Sequence, residues 1–306
     1  MADPEPVLDD LADETSALDG LVAGLDEQGW RTPTPAPGWT VAHQIAHLAW
    51  TDERALLAAT DPAGFAREVE QALAAVDRHV DDGAEEGARA HPADLLHRWR
   101  EGRTALDAAL RAAPAGTRLP WFGPPMSIAS MATARLMETW AHGQDVADAL
   151  SVHSAPTARL RHVARIGVRA RDYAHFVHGL EPPREEFRVE LTPPEGTAPP
   201  GTVWAFGPPG AAQSVTGPAE DFCLLVTRRR NRADLALSAR GADADRWLDI
   251  AQAFAGPPGR GRAPRQEPSG EHRTGQREPA ERTAEQRATA EQRATAGERA
   301  TAGERG

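Results

Sequence analysis

The spacing of apolar residues divides the chain into a helical first half and a mixed second half. In the first half, apolar positions recur every three or four residues, the period of an amphipathic helix. Long helices are predicted over Val7–Gln28, over VAHQIAHLAWTDERALLAAT after an N-cap at Thr40, over Ala93–Ala113, and from a cap at Ser127 to Leu150. A shorter helix or lid is predicted from Pro62 to about Val80. The acidic segment DDGAEEG at 81–87 is expected to form a turn. The four long helices predict a bundle with a site between facing helices.

After about Ser151 the pattern changes to shorter elements separated by Pro and Gly. Helices are predicted over Thr157–His178, over Pro218 to about Thr227 and over Ala242–Ala255, and strands over FRVEL from Phe187, TVWAF from Thr202 and ADLALSA from Ala233. Mixed short strands and helices are typical of an α+β domain. We therefore expect a helical bundle at 1–152 and a smaller α+β domain at 153–255.

The last part of the chain, residues 256–306, has no Val, Ile, Leu, Met, Phe, Trp, Tyr or Cys. Without apolar side chains it cannot offset the entropy of ordering by burial. Its end repeats AEQRAT and AGERAT, a period too short for a solenoid unit. The composition predicts a disordered low-complexity tail.

The net charge and the cysteine count limit which classes of partner and which chemistry are expected. The chain has 45 acidic and 34 basic residues, a net charge of −11, and ten of its arginines lie in the tail beside eight glutamates. This balance argues against nucleic acid as a partner. There is no Lys for a Schiff base, and Cys223 is the single Cys. The acidic N-terminus and the lack of a long apolar run predict a cytoplasmic protein without a membrane segment.

Two helical segments carry candidate metal ligands. Glu138 and His142 are one helical turn apart, so both side chains can reach one cation. His47, between apolar neighbours on another helix, is a candidate third ligand that would leave coordination positions open, as in catalytic sites. The alternatives are a solvated surface pair or a buried His47–Glu138 hydrogen bond without metal. The His97/Glu101 pair has the same spacing, but its arginine neighbours indicate an exposed surface.

The same segments resemble a known family. PGWTVAHQIAHLAWTDE from Pro37 and RLMETWAHGQDVADAL from Arg135 look like the signature helices of the DinB-like metal-binding four-helix bundle. More narrowly, they resemble the mycothiol-dependent maleylpyruvate isomerase family of actinobacteria. In that family a Trp precedes the first His ligand, and E-x-x-x-H on the fourth helix supplies the other two. The resemblance thus implies His47, Glu138 and His142 as metal ligands.

The second half is similar to the sterol-carrier-like C-terminal domain of that family, with one departure. Such domains often have a Gly-Arg pair at a basic corner, where this chain reads TRRRNRAD from Thr227 to Asp234. We therefore expect Arg228, Arg229 and Arg230 to form a solvated charge run rather than a substrate site.

The resemblance implies a metal- and thiol-dependent enzyme. Two imidazoles and one carboxylate suit Zn²⁺ first, with Fe²⁺, Ni²⁺ or Co²⁺ as alternatives. The family implies mycothiol as thiol cosubstrate, attacking a small electrophile as an isomerase or S-transferase, in a monomer or homodimer. The alternative is a non-catalytic metal-binding protein or a carrier of an apolar ligand.

Three further residues are candidates for supporting roles. His43 is a candidate proton-transfer or outer-shell group, Arg54 a partner for a substrate carboxylate, and Asp145 an orienting partner for the His142 imidazole. Their structural alternatives are exposed or surface-paired side chains. Cys223 is expected to be a small buried hydrophobe.

Overall fold

The computed structural model describes residues 3–73, 79–256, 259 and 261–265. Most of the predicted tail therefore lies outside the described residues. The helices are α1 Glu5–Val22, α2 Glu27–Trp30, α3 Val41–Thr60, α4 Pro62–Leu73, α5 His79–Ala88, α6 Pro92–Ala112, α7 Ile128–Leu150, α8 Leu160–Arg169, α9 Arg171–Val177, α10 Ala219–Val226 and α11 Ala242–Ile250. The strands are β1 Arg118–Leu119, β2 Met126–Ser127, β3 Phe187–Thr192, β4 Trp204–Phe206, β5 Gln213–Pro218 and β6 Ser238–Arg240.

Four long helices pack as a bundle in the first half. Helix α1 contacts α7 and α6, and α3 contacts α6 and α7. Ile45, Leu48 and Trp99 are fully buried between them, and burying an aliphatic side chain of this size stabilises a fold by about 1.5–3 kcal/mol. The predicted bundle is confirmed, and it places the middle of α3 beside the middle of α7.

Polar caps fix where the two site-bearing helices begin. The Thr40 backbone N–H donates to Nδ1 of His43 at 3.2 Å, the reciprocal half of a capping box. The Ser127 hydroxyl accepts from the Ser130 backbone N–H at 3.2 Å. Both predicted caps are therefore confirmed.

The acidic segment expected to be a turn belongs to helix α5, so that prediction is wrong. Helix α5 packs against α3, and its two glycines permit a close approach. A Cβ on Gly83 would lie 2.9 Å from Nε1 of Trp50, and one on Gly87 would lie 2.8 Å from Cβ of Ala46. The residues that indicate packing of this segment are Gly83, Ala84 and Gly87. Because the acidic residues on its outer face dominate its composition, the sequence resembles an exposed turn.

The second half contains a four-stranded sheet in the order β4-β3-β5-β6. Strands β3 and β5 are parallel, and the other neighbouring pairs are antiparallel. Helices α10 and α11 pack on the sheet, with Phe222 and Trp247 fully buried and their rings 5.8 Å apart. Strand β5 was not predicted, because its Gly217 and Pro218 are typical of a turn.

The mixed fold class is confirmed, with smaller differences in the elements. The predicted helix over Thr157–His178 is two helices, α8 and α9, and the predicted strand from Ala233 is only the short β6. One buried apolar cluster runs from Leu8 in the bundle to Val215 in the sheet. The domain boundary at residue 152 stays a prediction. Within the described residues, no helix has the length and apolar character needed to cross a membrane.

Candidate metal centre

Three side chains from α3 and α7 meet between the helices. Nε2 of His47 lies 3.4 Å from Oε2 of Glu138, and Nε2 of His142 lies 3.2 Å from the same oxygen. One potential ligand atom from each residue lies within 4.8 Å of the others. The histidine side chains are about nine-tenths buried, and that of Glu138 is 23% exposed. The structure thus brings all three predicted ligands together, with the carboxylate on the solvent side.

A buried ion pair holds α3 and α7 in register one turn away. Arg135, on α7, donates through Nε to Asp52 at 2.8 Å and through a terminal nitrogen to the Thr51 hydroxyl at 2.6 Å. Arg135 and Asp52 are 2% and 4% exposed. Burial raises the pKa of Asp52, although the Arg135 charge opposes the change. Because an unpaired charge here would be costly, the pair fixes how the two helices face each other.

A chain of hydrogen bonds determines the tautomer of His142. The Thr34 hydroxyl donates to the Trp39 carbonyl at 2.9 Å, so it accepts from Nε2 of Gln44, also at 2.9 Å. The Gln44 amide oxygen is therefore turned toward Nδ1 of His142, which donates to it. With its proton on Nδ1, the neutral imidazole presents an Nε2 lone pair toward Glu138. That is the arrangement a metal-ligating histidine needs.

Burial and neighbouring groups shift the pKa values of Glu138 and His142 in the site. Burial alone would raise the pKa of Glu138, but hydrogen bonds and charge from His142 and His47 outweigh it and hold that pKa well below its usual value. Burial and the His47 charge lower the pKa of His142 to about 3. Nδ1 of His47 is buried and has no hydrogen-bond partner within the described part of the chain. Two imidazoles around one carboxylate form a donor set for a divalent cation.

Trp39 covers the two imidazoles on one side. Its ring centroid lies 5.9 Å from that of His142, nearly parallel to it, and 5.5 Å from that of His47. The two imidazole centroids are 4.5 Å apart. Trp39 comes directly before the α3 N-cap, so the capping box also positions this indole. Its apolar face limits the access of water to the nitrogens.

His43 and Arg54 make contacts of their own. Nδ1 of His43 accepts from Thr40, so its Nε2 is available to donate to Glu85 at 2.9 Å. Arg54 lies 2.8 Å from Glu68 and 5.3 Å from the centre of the Trp50 ring. None of these contacts is with the three converging side chains. The proposed proton-transfer and substrate roles remain predictions.

The contact that orients His142 comes from Gln44 rather than from the expected Asp145. Asp145 is 1% exposed and pairs with Arg229 at 3.1 Å and with Arg262. Arg229 also donates to the Ala141 carbonyl at 3.0 Å. Asp145 thus joins α7 to the second half of the chain.

The expectation of a solvated charge run over Arg228–Arg230 is wrong. Arg229 and Arg230 are 14% and 15% exposed, and Arg230 makes a two-pronged ion pair with Asp148. Cys223 is fully buried, and burial raises the pKa of its thiol well above the usual value. The His97/Glu101 pair is exposed, as expected, at 72% and 69%.

Gln44, Thr34 and Arg135 support the site without having been singled out from the sequence. Gln44 has a weak local signal, because it lies one turn from Leu48 on the buried side of α3 and is a fully buried polar residue. Its contact with His142 joins residues 98 positions apart. Nothing in a single sequence specifies such a pairing.

Comparisons with known proteins give a family match, two relatives and a similar fold. The family model described as the mycothiol maleylpyruvate isomerase N-terminal domain matches residues 11–147. Uncharacterized proteins from two strains of Mycobacterium tuberculosis are each 59% identical over 262 residues, which is 86% of this chain and all of theirs. Crystal structures of the mycothiol-dependent maleylpyruvate isomerase, one of them a mutant, match with a TM-score of 0.52 at 16% identity. They cover 78% of this chain and 93% of theirs, and they show likeness of fold.

Proposed function

Since the chain belongs to the mycothiol-dependent maleylpyruvate isomerase family, we propose that it is a divalent-metal and thiol-dependent enzyme. It would act on a small electrophile, as an isomerase or an S-transferase, with mycothiol as cosubstrate. The observation that carries the proposal is the convergence of His47, Glu138 and His142, with ligand atoms within 4.8 Å of one another.

The residues present fit a metal of intermediate softness. Two imidazole nitrogens and one carboxylate oxygen are ligands that Zn²⁺ accepts readily. The Gln44 hydrogen bond leaves Nε2 of His142 unprotonated, and the two histidines are held by separate helices. His47, Glu138 and His142 would hold the ion and leave room for a further ligand.

When bound, the metal would supply a positive charge that favours the thiolate form of an incoming thiol near neutral pH. Gln44 keeps the His142 ring in one orientation, and the Arg135–Asp52 pair keeps α3 and α7 at a fixed separation. Trp39 limits the access of competing water. These residues preorganise the site before a substrate arrives.

The chemical outcome depends on the electrophile. With a cis-alkene next to a carbonyl group, sulfur adds to one alkene carbon, the resulting single bond rotates, and loss of the same sulfur returns the trans-alkene and the thiol. With an epoxide, a carbon–sulfur bond forms as the carbon–oxygen bond breaks, and the oxygen takes up the thiol proton. The first outcome regenerates the thiol and the second consumes it.

The test is thiol-dependent turnover by the purified, zinc-loaded protein. A panel of cis-unsaturated acids and epoxides is incubated with and without mycothiol, using the wild type, His142→Ala and His97→Ala. We expect conversion only with thiol present, retained in His97→Ala and lost in His142→Ala while the circular dichroism spectrum is unchanged. Equal conversion by all three proteins would contradict the proposal. Lipid that co-purifies with a protein inactive toward the whole panel would favour the carrier alternative.

A further inference from the structure

The corner after α10 has a strained backbone at Arg228. Its φ angle is 58°, in the left-handed region, which is unfavourable for a residue with a Cβ. Glycine is the usual residue where a helix ends in this conformation. A bulky residue kept at such a position is a reason to ask what its side chain does.

Arg228 differs from the neighbouring arginines because it has no acidic partner among the described residues. Arg230 binds Asp148 at 2.6 Å and Arg232 binds Asp249 at 2.6 Å. For Arg228, no side-chain hydrogen bond or ion pair exists within the described residues. Its Nε atom is buried and unpartnered, and burial lowers the pKa of the guanidinium.

A second unpaired nitrogen belongs to His178, whose pKa responds to the charge of Arg228. Nε2 of His178 is buried without a hydrogen-bond partner among the described residues. Burial lowers the pKa of His178, and the charges of Arg228 and His175 lower it further. No acidic side chain contributes to either pKa shift. An anion beside Arg228 would supply the missing negative charge and accept hydrogen bonds from its guanidinium.

Arg228 lines a cavity of about 200 Å³ beside α10 and α11. Its polar lining consists of Arg228, Arg230, Asn231, Arg232, Arg262 and a single acid, Asp249. Asp249 is bound by Arg232, Arg230 by Asp148 and Arg262 by Asp145, so Arg228 is the one arginine of the lining without an acidic partner among the described residues. Pockets for drug-sized ligands span about 300–1,000 Å³. This smaller volume suits one phosphate group or a short carboxylate.

Gly261 brings the chain close to the guanidinium. Its φ is +68°, and a Cβ there would lie 2.9 Å from a terminal nitrogen of Arg228. The next residue, Arg262, lines the same cavity and is anchored to Asp145. The segment therefore closes one side of the cavity with backbone and a second guanidinium.

We propose that this cavity binds a small molecule through a phosphate or carboxylate group, with the Arg228 guanidinium as the principal ligand. The inference is independent of the metal centre. It accounts together for the left-handed arginine and for its lack of an acidic partner among the described residues.

The test is anion binding to the full chain, measured by calorimetry and by the melting temperature. Inorganic phosphate and succinate are titrated at constant ionic strength set with chloride. The proteins are the wild type, Arg228→Gln and the matched control Arg246→Gln, which removes the same charge from an exposed position on α11. We expect saturable binding to the wild type and to the control, and affinity about 10- to 100-fold weaker in Arg228→Gln.

Arg228→Gly gives a second test, in which a loss of anion binding cannot be attributed to a destabilised fold. It removes both the strained φ and the unpaired cation, so without added anion we expect a melting temperature above that of the wild type. Added anion should raise the melting temperature of the wild type and leave that of Arg228→Gly unchanged. Tighter binding of phosphate or of succinate identifies the preferred group. The proposal is overturned if neither anion binds the wild type more tightly than chloride, or if Arg228→Gln binds as well as Arg246→Gln.

Discussion

Replacing Gln44 with Leu should weaken metal binding although Gln44 is not itself a ligand. Gln44 is fully buried and accepts from Nδ1 of His142 while donating to Thr34. Leucine fills a similar volume but cannot accept a hydrogen bond from Nδ1 of His142. The imidazole then loses the contact that keeps the proton on Nδ1, and tautomers protonated on Nε2 cannot bind a metal through that atom.

The expected loss follows from the contacts that are removed. Outer-shell partners of metal-bound histidines are worth about 10- to 100-fold in metal affinity, or about 1.4–2.7 kcal/mol. We expect the upper part of this range, because the site is buried and no other described side chain contacts Nδ1. Gln44→Glu should retain most of the affinity, since a carboxylate also accepts from Nδ1.

The assay is competition for Zn²⁺ between the protein and a chromophoric chelator. Gln252→Leu is the matched control, because Gln252 is also a buried glutamine, 1% exposed, whose amide nitrogen bonds to the Phe254 and Gly256 carbonyls far along the chain from the ligands. The reasoning is refuted if Gln44→Leu binds Zn²⁺ as tightly as the wild type. It is also refuted if Gln252→Leu loses as much affinity as Gln44→Leu.

Three further predictions concern stability, measured as the free energy of unfolding in urea. Gly167→Ala should lower the free energy of unfolding by about 1–3 kcal/mol, because the new Cβ would lie 2.7 Å from Val226. Gly102→Ala places its Cβ with nothing within 4 Å and should raise the free energy of unfolding by about 0.5–1 kcal/mol. Equal effects of the two substitutions would contradict the packing described at Gly167. Asp52→Ala should cost about 3–5 kcal/mol, because it leaves Arg135 buried and unpaired; a cost below about 1 kcal/mol would show that the pair is not structural. Hydrogen bonds from Arg100 lower the pKa of Asp19 from its usual value of 3.8. Burial opposes this lowering, and the charge of Arg103 adds to it. The stabilisation is present above the pKa that Asp19 has in the unfolded chain, and it is lost as pH falls through the lower pKa of the folded protein. The stability that Asp19→Asn loses relative to the wild type should therefore shrink in acid. A loss of stability that does not depend on pH would contradict this prediction.

The sequence could predict those parts of the site that depend on local periodicity. Glu138 and His142 share a helix face because four residues make about one turn, and the apolar neighbours of His47 indicate its burial. The caps at Thr40 and Ser127 follow from side chains next to the helices they start. Each of these inferences needs only a few consecutive residues.

Contacts between distant segments could not be predicted in the same way. Asp145 seemed suited to orient His142 from its spacing, but the structure pairs it with Arg229 and Arg262. The arginines at 228–230 have the local character of a surface run, yet two of them form ion pairs with acids on α7. Strand β5 is stabilised by pairing with β3 and β6, which outweighs the turn preference of its Gly and Pro.

The measurement that tests the central claim most directly is the zinc content of the purified protein. It is determined for the wild type, His47→Ala, Glu138→Ala and His142→Ala, with His97→Ala as the control for loss of an exposed histidine. We predict about one equivalent in the wild type and the control, as three ligands for one ion require, and a large loss in each of the other three variants. Equal zinc in all five proteins, or none in any after zinc loading, would contradict the account.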